Sequence, residues 1–391
     1  MDRAFSFCNK PEAGSLLPDM QALFLLVWLD PFVQFHYENK GRKELMNSGI
    51  IRNIFLQFFY LSVMKNNSRR RFLQSASLGA MSLSLGFDSD LFKTLKMKKK
   101  YGLQLFTIPA MASKDFKGTL ELISNIGYKE IEFFGPYPFS APETIEQWKT
   151  MSSQLGIKQN AFYGYSTKET AKLLKEYHLS SPSMHLDMMT FRKNMSPMLD
   201  AAAELGVKYV INPALWEDER KTLDDFKRRA EEFNQFGLQM KPYGIRFGYH
   251  NHGYEEAPKE HVIPFHLLLE KTDPDLVAFE MDVFWMKASG ANPIEYLRAY
   301  PGRFKLAHLK DASEPVRFSG DGGSADQWIA LFPKMSDPGE GVFDISKVVQ
   351  QGLVSGMEHF YLERDLAADP EKTLRNSFKN LNAIDWNKKA S

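Results

Sequence analysis

Four strand-like segments of the chain each end in a histidine or a carboxylate, and the four side chains could together hold a metal ion. They are His250, Asp282, His308 and Glu363, and each follows a mostly apolar run. A purely structural strand would avoid such an ending, because a buried charge is costly without a partner. Two imidazoles and two carboxylates suit Mn²⁺, Mg²⁺, Co²⁺, Fe²⁺ or Zn²⁺. The pattern therefore predicts one divalent metal ion as cofactor.

The segments before these residues belong to a repeated pattern that starts at Tyr101. Short apolar runs alternate with amphipathic stretches, which predicts βαβ units around a parallel sheet. The strand candidates are 102–107, 130–134, 157–163, 181–186, 207–212, 245–250, 277–282, 304–308 and 360–363.

Nine candidates are one more than a closed (βα)8 barrel uses. The weakest is 157–163, because a capping box at Ser166 and Glu169 starts a helix soon after it. We assign it to an excursion beside the barrel. The predicted fold class is therefore α/β, a (βα)8 TIM barrel, in which the carboxyl ends of the strands ring the active site. The long irregular stretch 312–340 is expected to lie over the barrel mouth as a lid.

Three segments carry a resemblance to a known family. They are 248–252 (Gly-Tyr-His-Asn-His), 281–285 (Met-Asp-Val-Phe-Trp) and 302–311, which ends in His-Leu-Lys-Asp. Over residues 101–386 the chain resembles the xylose-isomerase-like TIM-barrel superfamily, which includes sugar phosphate isomerases, ketose 3-epimerases and inosose dehydratase, and is related to endonuclease IV.

The resemblance implies one divalent ion held by an acid on strand five, an aspartate on strand six, a histidine on strand seven and a glutamate on strand eight. Asp282, His308 and Glu363 match the last three positions. His250 stands where the family usually has glutamate, with His252 as its competitor.

The family's chemistry implies proton abstraction next to a carbonyl through a metal-stabilised enediolate. A sugar isomerase or epimerase is therefore the expected function. The ketose epimerases use two glutamate ligands as a proton-transferring pair, and His250 removes one member of that pair. An inosose-type dehydratase or a keto-glycoside lyase on the same site is the alternative. An alternative of another class is a non-catalytic carbohydrate-binding barrel.

Further side chains are candidates for catalysis or for contact with the substrate. The candidates for the base that takes the proton are His185, His252, Glu363 and Glu132. Lys310 could stabilise oxyanion charge, or it could pair with Asp311. Three substrate-binding candidates follow: Glu132, which could instead be half of an ion pair, and Trp216 and Trp285, against which a sugar ring could stack.

The overall composition favours a small-molecule partner. The 391 residues are 43% hydrophobic and 25% charged, with a formal net charge of +1, so no strong field gathers a polyanion. Nucleic acid is not expected as a partner, since a nuclease would need more metal ligands and a basic groove.

A two-carboxylate glycosidase would not explain the two strand-end histidines. Without a Gly-rich phosphate loop, a sugar or keto-sugar is favoured over a phosphorylated one. A homo-oligomer is left open.

The single cysteine and the N-terminal hundred residues indicate in which cellular compartment the protein is expected. Cys8 lies upstream of the predicted fold, so thiolate ligands and disulfides are excluded from it. Residues 68–74 (Ser-Arg-Arg-Arg-Phe-Leu-Gln) and the small apolar run 75–87 resemble a Tat export signal. This predicts a periplasmic or otherwise exported protein, or a cytoplasmic one if the basic segment only starts an amphipathic helix.

The export signal also sets the predicted domain boundaries. We expect 1–63 to be an upstream, mis-started segment, with Met64 as the true start, 64–100 to be the signal and a linker, and 101–391 to be the barrel. The apolar stretches in 1–63 are shorter than the ~20 residues that a membrane helix needs. No stable membrane span is expected.

Overall fold

The computed structural model describes residues 99–154, 156–157 and 160–387. The upstream segment 1–63 and the export signal, both predicted from sequence, lie outside these residues. In the part of the chain that is described, no helix has both the length and the apolar character needed to cross a membrane.

Eight parallel strands close into a barrel, and two short strands form a separate antiparallel pair. The strands are β1 (Gly102–Gln104), β2 (Glu130–Phe133), β3 (Ser180–His185), β4 (Tyr209–Asn212), β5 (Arg246–His250), β6 (Val277–Asp282), β7 (Phe304–Leu309), β8 (Asp311–Ala312), β9 (Met335–Ser336) and β10 (His359–Leu362). The barrel runs from β1 to β7 in sequence order and closes through β10 back to β1, while β8 pairs with β9. The predicted (βα)8 barrel is confirmed. The described residues of 157–163 form turns rather than a strand.

Helices fill the connections between the strands. They are α1 (Pro109–Lys114), α2 (Phe116–Ile126), α3 (Pro142–Gln154), α4 (Thr167–Glu176), α5 (Met188–Lys193), α6 (Met195–Leu205), α7 (Leu223–Met240), α8 (Pro264–Lys271), α9 (Val283–Ser289), α10 (Pro293–Ala299), α11 (Ala325–Ile329), α12 (Ile345–Ser355) and α13 (Pro370–Ala383). The predicted capping box is present, since Ser166 and Glu169 bond reciprocally at the start of α4.

Strand alternation divides each barrel strand into an outward and an inward set of side chains. On β6, Phe279 and Met281 belong to the main hydrophobic core, whereas Ala278 packs in a separate cluster with Tyr209, Ile211, Leu306 and Tyr361. This second cluster is an apolar layer inside the barrel. Gly102 makes room for it, because a Cβ at that position would lie 2.3 Å from Cδ1 of Tyr361. The polar inward residues occupy the strand ends above this layer.

The connection from β7 to α12 is the long excursion that the sequence predicts as a lid. Both oxygens of the buried Asp311 carboxylate accept backbone N–H groups: Oδ1 from Ala312 (2.8 Å) and Phe343 (3.0 Å), Oδ2 from Gly339 (2.9 Å) and Gly341 (3.0 Å). One carboxylate therefore fixes both ends of the excursion to the end of β7.

The middle of the excursion reaches the loop after β4. Arg220 donates from Nη2 to the Gly323 carbonyl at 2.6 Å and from Nε to the Leu215 carbonyl at 3.0 Å. Since β4 and β7 stand on different sides of the barrel, the excursion spans the mouth.

Replacing Asp311 with asparagine tests this anchor. The side-chain amide cannot accept at both positions, so an NH₂ group would face two backbone N–H donors. We expect D311N to lower the free energy of unfolding by about 1–3 kcal/mol and to speed amide exchange at 339–343. Denaturant unfolding and hydrogen–deuterium exchange measure these effects. D321N, at the exposed tip of the excursion, is the control, and equal exchange in the two variants would contradict the assignment.

Candidate metal centre

The four predicted ligands meet at the carboxyl ends of neighbouring strands. His250 ends β5, Asp282 ends β6, His308 lies on β7 and Glu363 follows β10 directly. Asp282 and His308 are partners in the strand register. All four side chains are buried. The barrel therefore brings together residues that are far apart in the sequence.

These residues form two overlapping groups that share His308. Ligand atoms of Asp282, His308 and Glu363 lie within 4.8 Å of one another, and so do those of His185, His250, Glu280 and His308. His250 joins the first group through Nε2, which is 3.6 Å from Oδ2 of Asp282. The four predicted ligands are thus adjacent, and Glu280 and His185 lie directly against them.

His308 has a carboxylate at each ring nitrogen. Nδ1 lies 2.5 Å from Oε2 of Glu363, and Nε2 lies 2.7 Å from Oε2 of Glu132. A neutral imidazole carries only one N–H. With both carboxylates ionised, both contacts are satisfied only if the ring is a cation or if a metal ion takes the place of one proton.

The buried charges at the mouth are unevenly balanced. Five buried carboxylates contact His308 or Lys310, and they are those of Glu132, Glu280, Asp282, Glu363 and Asp365. Among the described residues, Lys310 is the only lysine or arginine within salt-bridge distance of any of them. Oε1 of Glu280 is buried and accepts no hydrogen bond, and Oδ2 of Asp282 is buried with only ion-pair contacts, to Lys310 and His250. This excess of negative charge, together with a carboxylate oxygen that lacks a donor, fits a divalent cation.

Lys310 lies between three carboxylates. Its Nζ is 2.9 Å from Oε2 of Glu363, 3.1 Å from Oδ2 of Asp282 and 3.0 Å from Oδ1 of Asp365. Although burial opposes it, these charges hold the pKa of Lys310 well above its usual value. The pairing of Lys310 with Asp311, one of the two sequence-based alternatives, is wrong, because Asp311 accepts backbone N–H groups instead.

Glu132 and His185 lie on the β2 and β3 side of the mouth. Glu132 is fully buried and accepts from Nε2 of Gln104 at 2.8 Å and from the hydroxyl of Ser183. Nε2 of His185 lies 2.7 Å from Oε2 of Glu280 and 3.2 Å from Oε2 of Glu132. Glu132 therefore contacts His185 and His308 as in an ion pair, and its contact with a substrate stays a prediction.

Aromatic side chains line the other side of the mouth. The ring of His252 is 6.0 Å from that of Trp285 and 4.9 Å from that of Trp328, which belongs to the excursion. Burial lowers the pKa of His252 to about 3. Trp285 is buried, and Nζ of Lys310 lies 5.2 Å from the centre of its ring. Trp216 is separate, since it is 50% exposed and lines a cleft of about 540 Å³ at the rim.

Sequence reasoning did not select Glu280, Asp365 or Trp328. Glu280 and Asp365 each lie two residues from a predicted ligand, so strand periodicity could have found them. Trp328 lies in an irregular segment, and no periodic pattern marks it.

Comparison with known proteins agrees with this geometry. The sequence profile described as xylose isomerase-like TIM barrel matches residues 120–382. The chain belongs to the xylose isomerase-like TIM barrel family. Membership in this family, an enzyme superfamily, confirms the resemblance found in the sequence.

Individual relatives of this xylose isomerase-like barrel are more distant. An inosose dehydratase of Clostridium tetani is 35% identical over 96 residues, which are 24% of this chain and 31% of that enzyme. The chain thus matches about a third of that relative's length.

Solved structures match the whole barrel. A sugar phosphate isomerase/epimerase from Parabacteroides distasonis is 25% identical, with a TM-score of 0.57, covering 75% of this chain and 97% of that one. The structure of the IolI protein with a zinc atom is 17% identical, with a TM-score of 0.52, and the match covers 73% of this chain and 96% of that one. At that identity the likeness shows the fold alone.

The role of Lys310 in charge balance can be measured without a substrate. In the presence of a chelator, K310M should lower the free energy of unfolding by about 3–5 kcal/mol, because it leaves buried carboxylates unpaired. The control K334M removes an exposed lysine that pairs with Glu314, and should change stability by less than about 1 kcal/mol. Similar losses in the two variants would mean that other groups balance the three carboxylates.

Proposed function

We propose that this chain is a metal-dependent lyase that acts on a polyhydroxylated ketone, as an inosose-type dehydratase or a keto-glycoside lyase. The observation that carries the proposal is the set of four potential ligands, His250, Asp282, His308 and Glu363, beside an excess of buried negative charge at the barrel mouth. The relatives named inosose dehydratase support the same class of reaction.

His250, Asp282, His308 and Glu363 would hold the divalent ion, and the IolI structure, which has the same fold, contains a zinc atom. When bound, the ion would supply Lewis acidity at the substrate carbonyl and make the neighbouring C–H group more acidic. The remaining chemistry falls to side chains outside the ligand set.

We assign proton transfer to two imidazoles outside the ligand set. His185 is held at Nε2 by Glu280 and Glu132, which fixes the direction of its ring. His252 has a buried Nδ1 that makes no hydrogen bond. One of them, as base, takes the proton from the carbon next to the carbonyl. The C–H electron pair forms a C=C bond to the adjacent carbon, and the C–O bond on that carbon breaks. The other imidazole, as acid, protonates the departing oxygen.

Lys310 and the excursion create the conditions for this reaction. The ammonium group has three N–H donors and three carboxylates around it, so we assign it charge balance rather than direct contact with an oxyanion. The excursion places Trp328 against His252 and covers the mouth. A covered site excludes water and strengthens electrostatic interactions within it.

A sugar isomerase or epimerase is the second candidate. The observation that favours it is the match to the sugar phosphate isomerase/epimerase over 97% of that chain. The two candidates share the proton abstraction and differ only in whether a neighbouring C–O bond breaks.

Metal content and proton exchange test the shared step. We expect the purified chain to hold about one divalent ion by elemental analysis. With an inosose, a free keto-sugar or a 3-keto-glycoside in heavy water, deuterium should appear next to the carbonyl. The exchange should stop with a chelator and return with the metal. Exchange that persists without metal would remove the ion from the reaction, and no exchange with any substrate would favour a non-catalytic sugar-binding barrel.

The two imidazoles can be told apart by their variants. We expect H185N and H252N each to lower the rate of elimination by about 10²–10⁴-fold while keeping the bound ion. The variant of the base should lose both deuterium exchange and elimination, whereas the variant of the acid should keep the exchange. Mass spectrometry of substrate and product measures both. Wild-type rates in both variants would exclude these histidines, and isomerised substrate without loss of water or alcohol would favour the second candidate.

A further inference from the structure

Glu280 lies where three imidazoles meet, and it was not selected as a ligand. Its Oε2 is 2.7 Å from Nε2 of His185, 2.9 Å from Nδ1 of His250 and 3.3 Å from Nε2 of His308. The side chain is fully buried. A carboxylate in contact with three rings can determine which nitrogen of each ring carries the proton.

The barrel topology explains how one side chain reaches all of them. β6 lies between β5 and β7, and Glu280 is the register partner of His250. Glu280 is two residues before Asp282, so it points to the same side of the strand but one layer deeper. It can therefore contact His250 and His308 from below while Asp282 lies above.

We propose that Glu280 is a positioning residue, which fixes the ring orientation and the tautomer of His250 and His308 so that their opposite nitrogens face the metal ion. This inference rests on the ligand set of the proposed function. If Nδ1 of His250 donates to Glu280, its Nε2 lone pair faces Asp282, 3.6 Å away. If Nε2 of His308 carries the proton, its Nδ1 lone pair faces Glu363.

Glu132 supports this choice of tautomer for His308. Its carboxylate is fully buried, so it needs hydrogen-bond donors. It receives them from Gln104, from Ser183 and from Nε2 of His308 at 2.7 Å. An ion bound at Nε2 would take away one of these donors, whereas an ion bound at Nδ1 leaves all of them in place. The two carboxylates Glu132 and Glu280 thus act from the same side, away from the ion.

The competing assignment is that Glu280 itself binds a cation together with His185, His250 and His308. The ligand atoms are close enough for that, and Oε1 of Glu280 has no hydrogen bond. The two assignments differ in the number of ions bound and in the effect of removing the carboxylate charge. Carboxylates that orient metal-binding histidines typically change metal affinity by 10–100-fold when they are replaced.

The test is metal binding by the E280Q variant, with Mn²⁺ and Zn²⁺ as the probes. Glutamine keeps the size of the side chain but loses the charge, so it cannot accept from the imidazoles as strongly. We expect one bound ion per chain, as in the wild type, with an affinity about 10–100-fold weaker in calorimetric titration. In the Co²⁺ form, the visible absorption bands should shift, because the imidazoles are no longer held in one orientation.

Glu130→Gln is the matched control. Glu130 is also a buried barrel glutamate paired with a histidine, since its Oε2 lies 2.8 Å from Nδ1 of His359, but this pair is at the opposite end of the barrel. E130Q should keep wild-type affinity. An equal loss of metal affinity in E130Q and E280Q would mean that the effect comes from general destabilisation, and it would overturn the proposal.

The other possible results of the binding experiment also support or overturn the positioning role of Glu280. Unchanged affinity in E280Q overturns the positioning role. Complete loss of the ion, or two ions per wild-type chain of which E280Q loses one, makes Glu280 a ligand instead. If E280Q does not fold, E132Q gives the same test at His308, with the same expected weakening. A wild-type chain that binds one ion but exchanges no substrate proton defeats the proposed function alone and leaves this inference intact.

Discussion

The arrangement of the barrel mouth depends on the balance of charge among five buried carboxylates. Coulomb repulsion between them is strong in a low-dielectric interior, and one lysine and the neighbouring histidines are the groups that offset it in the described structure. Each of these cationic or hydrogen-bonding groups touches more than one carboxylate. A change in any one of them therefore alters the electrostatics of the whole mouth, which is why structure and chemistry are coupled here.

Hydrophobic packing in the rest of the barrel offsets the destabilising effect of this concentration of buried charge. Below the polar layer, the apolar cluster around Tyr209, Leu306 and Tyr361 fills the interior, and outside it the strands pack against the helices through the main core. Hydrophobic burial there stabilises the fold independently of the mouth. The main hydrophobic stabilisation thus comes from a different layer of the same strands than the polar groups of the mouth, as strand alternation allows.

This division also explains what the sequence could reveal. The strand ends at His250, Asp282, His308 and Glu363 stand out because polar residues interrupt apolar runs, and the barrel was predicted from the alternation of elements. Asp365 and Glu280 continue the same periodicity, but a single sequence does not show how deep the polar layer extends. The contact of Trp328 with His252 joins segments that are distant in sequence, and the four N–H groups on Asp311 come from a loop without periodic pattern. Only the folded chain reveals such contacts.

His250, the histidine on β5, changes the net charge of the predicted ligand set. A glutamate there, as the family resemblance implies, would give a ligand set with three negative charges, whereas His250 leaves only Asp282 and Glu363. A bound divalent ion would then be less completely neutralised, and a less neutralised ion polarises a carbonyl more strongly. The ammonium of Lys310 beside both carboxylates acts in the same direction. In the proposed reaction, the same replacement would remove one of the two proton-transferring glutamates that the family resemblance implies, so proton transfer would fall to separate imidazoles. An elimination in which the base and the acid act on different atoms of the substrate fits such a pair of imidazoles.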